Sequence, residues 1–222
     1  MSDCDFPRPH WLTPLSDPRN EAILSAAFKV FEEKGLHGAT MLDIATAAKV
    51  SKETLYARFD NKEGLFYALL AWGSHKASVD LEVLTEALED DPVGALENYA
   101  GACLGKMMQA ESIEAYRIVV SEARRMPDVA RVFDEFTCQA ATRLLDRVVD
   151  ALHAKQLAYV ADRSAFAEAF IGLLRGNLHH GVLLGIAPMP SEDEVAAYAR
   201  RAMKMLLAAF ASKEPPRAGF VD

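Results

Sequence analysis

Residues 19–70 read RNEAILSAAFKVFEEKGLHGATMLDIATAAKVSKETLYARFDNKEGLFYALL. Ile23, Ala26, Ala27, Val30 and Phe31 recur at three- and four-residue steps, which makes one apolar helix face beginning near Arg19. Gly35, directly after Lys34, is a helix stop. Thr40-x-x-Asp43 has the form of a capping box with Asp in place of Glu. It opens a short second helix with Leu42, Ile44, Ala45 and Ala48 as apolar positions. Val50 breaks the run, and Ser51 caps a third helix carrying Leu55, Tyr56 and Phe59. Asp60-Asn61 ends that helix and caps a fourth, starting at Lys62. Three helices with so short a turn between the second and third make a helix-turn-helix. Leu55 and Phe59 are expected in its core, against Ile44 and Phe31.

Outward from this segment, residues 1–18 carry Pro7, Pro9, Pro14 and Pro18, and an extended arm is expected. C-terminal to it the pattern stays helical. Asp91-Pro92 reads as an N-cap with proline at the first helical position, opening a helix to about Gln109. Glu111–Arg125 is another helix. Pro127 to about Lys155 reads as one long amphipathic helix, and Asp162 to about Gly185 as another. Ser191-x-x-Glu194 is a capping box for a last helix ending near Ser212. No alternating stretch calls for a strand, and no repeat is visible. The expected class is all-α. The expected organisation is an arm (1–18), a helix-turn-helix domain (19–66), a larger helical domain (67–212) and a frayed tail (213–222).

The composition of the 222 residues, 51% apolar and 25% charged, is that of a soluble globular chain long enough to bury a core without staples. Cys4, Cys103 and Cys138 are too few for a disulfide scaffold, and none has zinc-ligand spacing. Neither a secretory leader nor a membrane span is expected, which points to the cytoplasm. His179-His180 are helix neighbours about 100° apart and so poorly placed to share a metal ion. No Gly-rich phosphate loop, HExxH or GxSxG is present, so no metal, cofactor or catalytic residue is expected. The net charge of −8 argues by itself against a nucleic-acid partner. Its distribution is uneven. The first 72 residues hold eight basic and ten acidic side chains, and from Lys49 to Lys62 four basic residues (Lys49, Lys52, Arg58, Lys62) face only Glu53 and Asp60.

The segment from Arg19 to Leu70 resembles the DNA-binding domain of TetR-type (tetracycline-repressor-like) regulators. The matching features are Ile23-Leu24 with Ala27 and Phe31, then Gly35, Thr40, Asp43-Ile44-Ala45 and Val50-Ser51. Thr54-Leu55-Tyr56, Phe59 and Lys62-Glu63 follow, in order and without gaps. Glu122-Ala123-Arg124-Arg125 and Leu173-Leu174-Arg175-Gly176-Asn177-Leu178-His179 resemble one TetR subgroup.

The resemblance implies a DNA-binding transcriptional regulator, a dimeric repressor released from a palindromic operator by a small molecule. The third helix should enter the major groove, with its N-terminal residues at the bases. Lys52 and Thr54 are the outward polar candidates there: Lys can donate to guanine, Thr can touch a thymine methyl or a phosphate. Glu53 could accept from cytosine N4 or serve the helix dipole, and the second role is favoured. Tyr56 and Lys62 are family-type phosphate contacts, and Thr40 sits where free helix N–H groups favour an anion.

A dimer doubles the bases read, with half-sites spaced by whole turns of about 34–36 Å. The last two helices are the expected dimer contact. Met107, Met108, Phe136 and Asn177 are candidate linings of an effector pocket, though Met and Phe at helical spacing serve equally as plain core, and Asn177 could pair across the dimer. An effector that tilts the fourth helix would move the recognition helices off their spacing. Two alternatives stay open: a regulator controlled by a protein partner or acting as an activator, and an all-α enzyme or adaptor with an unused helix-turn-helix.

Overall fold

The computed structural model describes residues 17–78, 87–134 and 140–212. The expected tail and almost all of the expected arm lie outside them, as do Phe136, Cys4 and Cys138. The fold is all-α, with one two-residue strand pair among the described residues. It divides into two compact units, Met1–Lys76 with Glu114–Phe136, and Ala77–Ile113 with Thr137–Asp222.

In the first unit, α1 (Pro18–Gly38) starts one residue earlier than expected. Pro18 is its first helical residue, where no N–H is needed, and the Asp17 carboxylate accepts from the Arg19 amide at 3.0 Å. Pro18 therefore opens the helix and does not belong to an arm. Gly35, at φ 68° and ψ 165°, interrupts the helical run at the expected stop, and one further turn buries Leu36. Three helices follow: α2 (Met41–Ala48), α3 (Lys52–Phe59) and α4 (Lys62–Ser78). Since α4 is continuous past residue 66, the division expected there falls inside a helix.

Phe31, Ile44, Leu55, Phe59, Leu65 and Phe66 form the core of this unit. Leu55 and Phe59 sit there with Ile44 and Phe31 as expected. The Phe31 and Phe66 rings meet edge to face at 5.5 Å, a geometry worth about 0.5–1.5 kcal/mol beyond area burial. Leu42 departs from expectation. It is 62% exposed, because the buried stripe of α2 is Met41, Ile44 and Ala45, and Leu42 lies about 100° from Met41. Val119, Val129 and Val132 join this core from further along the chain. They sit on the helices here called α6 (Ala110–Glu122) and α7 (Pro127–Asp134).

The second unit holds α5 (Pro92–Met107), α8 (Ala140–Ala154), α9 (Arg163–Leu174), α10 (Asn177–Leu183) and α11 (Glu192–Phe210). Asp91 caps α5, Asp162 caps α9, and Ser191 with Glu194 forms the expected capping box of α11. Tyr99 stacks on Phe170 at 5.5 Å in its core. The long helix expected from Pro127 appears as α7 and α8, with residues 135–139 outside the description.

The helix expected from Asp162 to Gly185 is broken. Gly176 is extended (ψ −159°), and the Tyr198 hydroxyl donates to the Leu173 carbonyl at 3.2 Å, taking up an acceptor at the helix end. A Cβ at position 176 would lie 2.3 Å from that hydroxyl, so a larger residue there would displace the Tyr198 side chain. The strand pair, β1 (Tyr159–Val160) with β2 (Ala211–Ser212), is antiparallel with Tyr159 opposite Ser212. Two residues are too few to leave an alternating pattern in the sequence.

Candidate nucleic-acid interface

Helix α3 buries Leu55 and Phe59 and presents Lys52, Glu53, Thr54, Tyr56 and Ala57 to solvent. Ser51 starts it: its hydroxyl accepts from the Thr54 amide at 3.2 Å and pairs with the Thr54 hydroxyl at 3.0 Å. Before it, Lys49 adopts the left-handed conformation (φ 56°), which ends α2 and lets the chain turn into α3 within three residues. At its far end Asp60 has φ 60° and ψ −55°, and the Asn61 amide donates to the Phe59 carbonyl at 2.6 Å. This is the strained γ-turn. The Asn61 side chain then accepts from the Gly64 amide at 2.7 Å and caps α4. The short helix α3 is thus fixed at both ends by backbone geometry and side-chain caps.

Residues 23–69 match the family model described as "Bacterial regulatory proteins, tetR family". Residues 94–212, more than half of the chain, match the model described as "AefR-like transcriptional repressor, C-terminal domain". The chain belongs to the TetR family. It is a DNA-binding transcriptional regulator. The protein is 28% identical over 177 residues to the uncharacterized HTH-type regulator YvkB of Bacillus subtilis (strain 168), covering 79% of this chain and 90% of that one. A TetR-family regulator from Mesorhizobium loti MAFF303099 superimposes with a TM-score of 0.75 at 23% identity, over 90% of this chain and 100% of that one. The flavonoid-responsive regulator FrrA does so with a TM-score of 0.66 at 27% identity, over 90% and 98%.

On this TetR-family scaffold the sequence-derived residues fall as follows. Lys52, Glu53, Thr54 and Tyr56 share the open side of α3, and the Lys52 ammonium lies 5.6 Å from the centre of the Tyr56 ring. The Glu53 carboxyl is held below its usual range by its own backbone amide and then by the Ser51 hydroxyl. That is the geometry of an acid serving the helix N-terminus. Lys62 donates to the carbonyls of Ala39 (3.1 Å) and His37 (3.3 Å), so its ammonium sits one residue from Thr40.

Thr40 is the N-cap of α2 in a full capping box. Its amide donates to Asp43 Oδ2 at 3.0 Å, and its hydroxyl accepts from the Asp43 amide at 3.1 Å. The free N–H groups expected at this terminus are therefore fewer than the sequence suggests; those of Met41 and Leu42 remain without an intrahelical partner. Arg58 is also redirected. Its guanidinium binds Asn20 at 2.5 Å and Asp17 at 3.3 Å, and so ties α3 to the start of α1. Lys49 and Lys52 are the exposed basic groups of the segment, and Lys62 is half-buried on its two carbonyls.

Ala57 escaped notice because it carries no functional group. It lies two residues past Leu55, about 200° around α3, and is exposed at the middle of the open face. That position was readable from the Leu55/Phe59 stripe alone.

Of the candidate pocket residues, Met108 is buried in the core of the second unit and Met107 packs against it. Asn177 is exposed at the start of α10. Cys103 is half-buried against the core of the second unit, and burial pushes its thiol up to about 11, which disfavours the thiolate. Among the described residues no cluster could hold a metal ion, and no helix is long and apolar enough to cross a membrane.

Asp43 provides a test of the cap. The Lys34 ammonium at 2.7 Å, followed by the Thr40 hydroxyl and amide, lowers its carboxyl to about 2. A depressed carboxylate contributes stability above its unfolded value, and this contribution is lost as pH falls through the folded one. The stability gap between the protein and an Asp43→Asn variant should be full above about pH 4 and close as pH approaches 2. Chemical denaturation across that range checks it; a gap independent of pH would remove Asp43 as the anchor of α2.

Proposed function

We propose that this regulator is a homodimeric repressor that binds a palindromic operator through α3 and is released by a small molecule held in its C-terminal unit, without catalysing a reaction. The observation carrying this reading is the open face of α3, pinned at both ends, with an ammonium next to a helix N-terminus at its flank. Lys52 and Thr54 meet base edges, and Glu53 mainly serves the helix terminus. Tyr56, Lys62 and Thr40 hold the backbone, with the α2 N–H groups adding donors. Ala57 leaves room for close approach to the groove. The dimer forms through α9 with α10 and through α11, where Met205 on α11 and Leu184, Ile186 and Met189 in the connection between α10 and α11 are exposed in the single chain. Met107 and Met108 belong to the wall of the effector site, and Asn177 either binds the effector or pairs across the dimer. FrrA is described as flavonoid-responsive, which makes planar aromatic molecules the first class of effector to screen.

The test is fluorescence anisotropy with the intergenic DNA beside the gene, at several salt concentrations. The logarithm of the binding constant should fall linearly with that of salt, with a slope near −0.9 for each phosphate neutralised. A flavonoid that binds the folded protein should raise its melting temperature and weaken DNA binding, typically by about 5–150-fold. Binding of the intergenic DNA no tighter than of random duplex at every salt concentration would overturn the reading.

A further inference from the structure

The first unit contains a polar contact that neither its packing nor DNA binding calls for. Glu122, the last residue of α6, has a side chain only 9% exposed. Its Oε2 is buried without a hydrogen-bond partner among the described residues. Its Oε1 lies 3.1 Å from His37 Nδ1, and His37 Nε2 lies 3.4 Å from Arg125 Nη1. A guanidinium has no acceptor, so Arg125 donates to Nε2. A carboxylate oxygen only accepts, so Nδ1 is the donor to Glu122. Arg125, His37 and Glu122 form a relay of side-chain contacts.

The backbone of His37 belongs to the extra turn beyond Gly35, and its carbonyl is one of the two that hold the Lys62 ammonium. The side chain of His37 faces α6 while its main chain seats Lys62. A buried carboxylate stripped of its partner is costly, so α6 and this turn are expected to move together. Helix α6 is continuous from Ala110, in the second unit, to Glu122, in the first.

We propose that Glu122 is a positioning residue for DNA binding: through His37 it fixes the carbonyl seat that aims Lys62. The proposal rests on the reading of Lys62 as a phosphate contact.

The test is a double-mutant cycle in the full chain, read as affinity for the intergenic duplex and as salt slope. Lys62→Gln should lower affinity and reduce the slope by about one for each subunit bound. Glu122→Gln, which keeps the shape and removes the charge, should lower affinity about fivefold or more and reduce the slope in the same way. The double variant should be no worse than Lys62→Gln alone. A structural defect lowers the active fraction but leaves the slope unchanged, so the slope separates the two roles. His37→Gln cuts the relay at a residue 57% exposed, and should reproduce the Glu122→Gln result if that variant fails to fold. If Lys62→Gln changes neither quantity, the phosphate reading falls. If it does, but Glu122→Gln and His37→Gln leave the slope intact or add fully to Lys62→Gln, the positioning role falls while the phosphate reading stands.

Discussion

A Gly64→Ala variant is expected to unfold about 5–10 °C below the native protein and to lose DNA binding with it, for a cost of about 2–3 kcal/mol. Helix propensity alone gives the opposite sign, since alanine is favoured over glycine by about 0.8–1 kcal/mol in a helix interior. The geometry decides against propensity. A Cβ at Gly64 would lie 2.3 Å from the Phe59 carbonyl oxygen, a backbone atom held by the γ-turn at Asp60. Admitting the methyl group means opening that turn. Opening it shifts Phe59 and Leu55, the two residues by which α3 is seated. Gly73 is the internal comparison. It lies in the same helix with nothing within 4 Å of its ideal Cβ, and Gly73→Ala should stabilise by up to about 1 kcal/mol. Thermal melts of the two variants check the set. If Gly64→Ala melts like Gly73→Ala, the junction between α3 and α4 is not built as described.

Much of the N-terminal unit was legible because its signals are local. Asp43 follows Thr40 by three residues, Ser51 precedes its helix by one, and Leu55 and Phe59 are one turn apart; each is a rule about neighbours in sequence. The misreadings share the opposite property. Arg58 looked like a free cation because its partners, Asp17 and Asn20, are about forty residues away. Leu42 looked like core because an eight-residue helix has room for a stripe of three buried residues, and a fourth apolar side chain cannot be told from them by spacing alone. The break at Gly176 depends on Tyr198, two helices later in the chain than Leu173. Val119, Val129 and Val132 carry nothing in their sequence that says they pack with the first unit. Among the candidate site residues, Lys52, Glu53, Thr54 and Tyr56 were found by position within one helix. The seat of Lys62 on the Ala39 and His37 carbonyls, and the pairing of His37 with Glu122, arise from chain crossings that a single sequence does not display.

Placing glutamate at both Ile186 and Met205 is expected to yield a monomer and to weaken binding to a full palindrome by about 100-fold or more, with the fold of α1 to α4 unchanged. Ile186 is 78% exposed and Met205 is 54% exposed in the single chain, and both lie in the region from α10 to α11. Scattered exposed apolar side chains are common on any surface, so exposure alone decides little. The weight comes from the lengths involved. A recognition helix of eight residues touches only a few base pairs, and one such contact leaves affinity close to that for random duplex. Joining two copies turns the second contact into an intramolecular event, and that step supplies the hundredfold. Both substitutions lie in the second unit, whereas α3, Lys62 and the His37–Glu122 pair lie in the first, so binding to a single half-site at low salt should survive. Sedimentation velocity and anisotropy on full-site and half-site duplexes separate the outcomes. A monomer that still prefers the full site by its original margin would show that operator recognition is complete within one chain, and the dimeric reading would have to be abandoned.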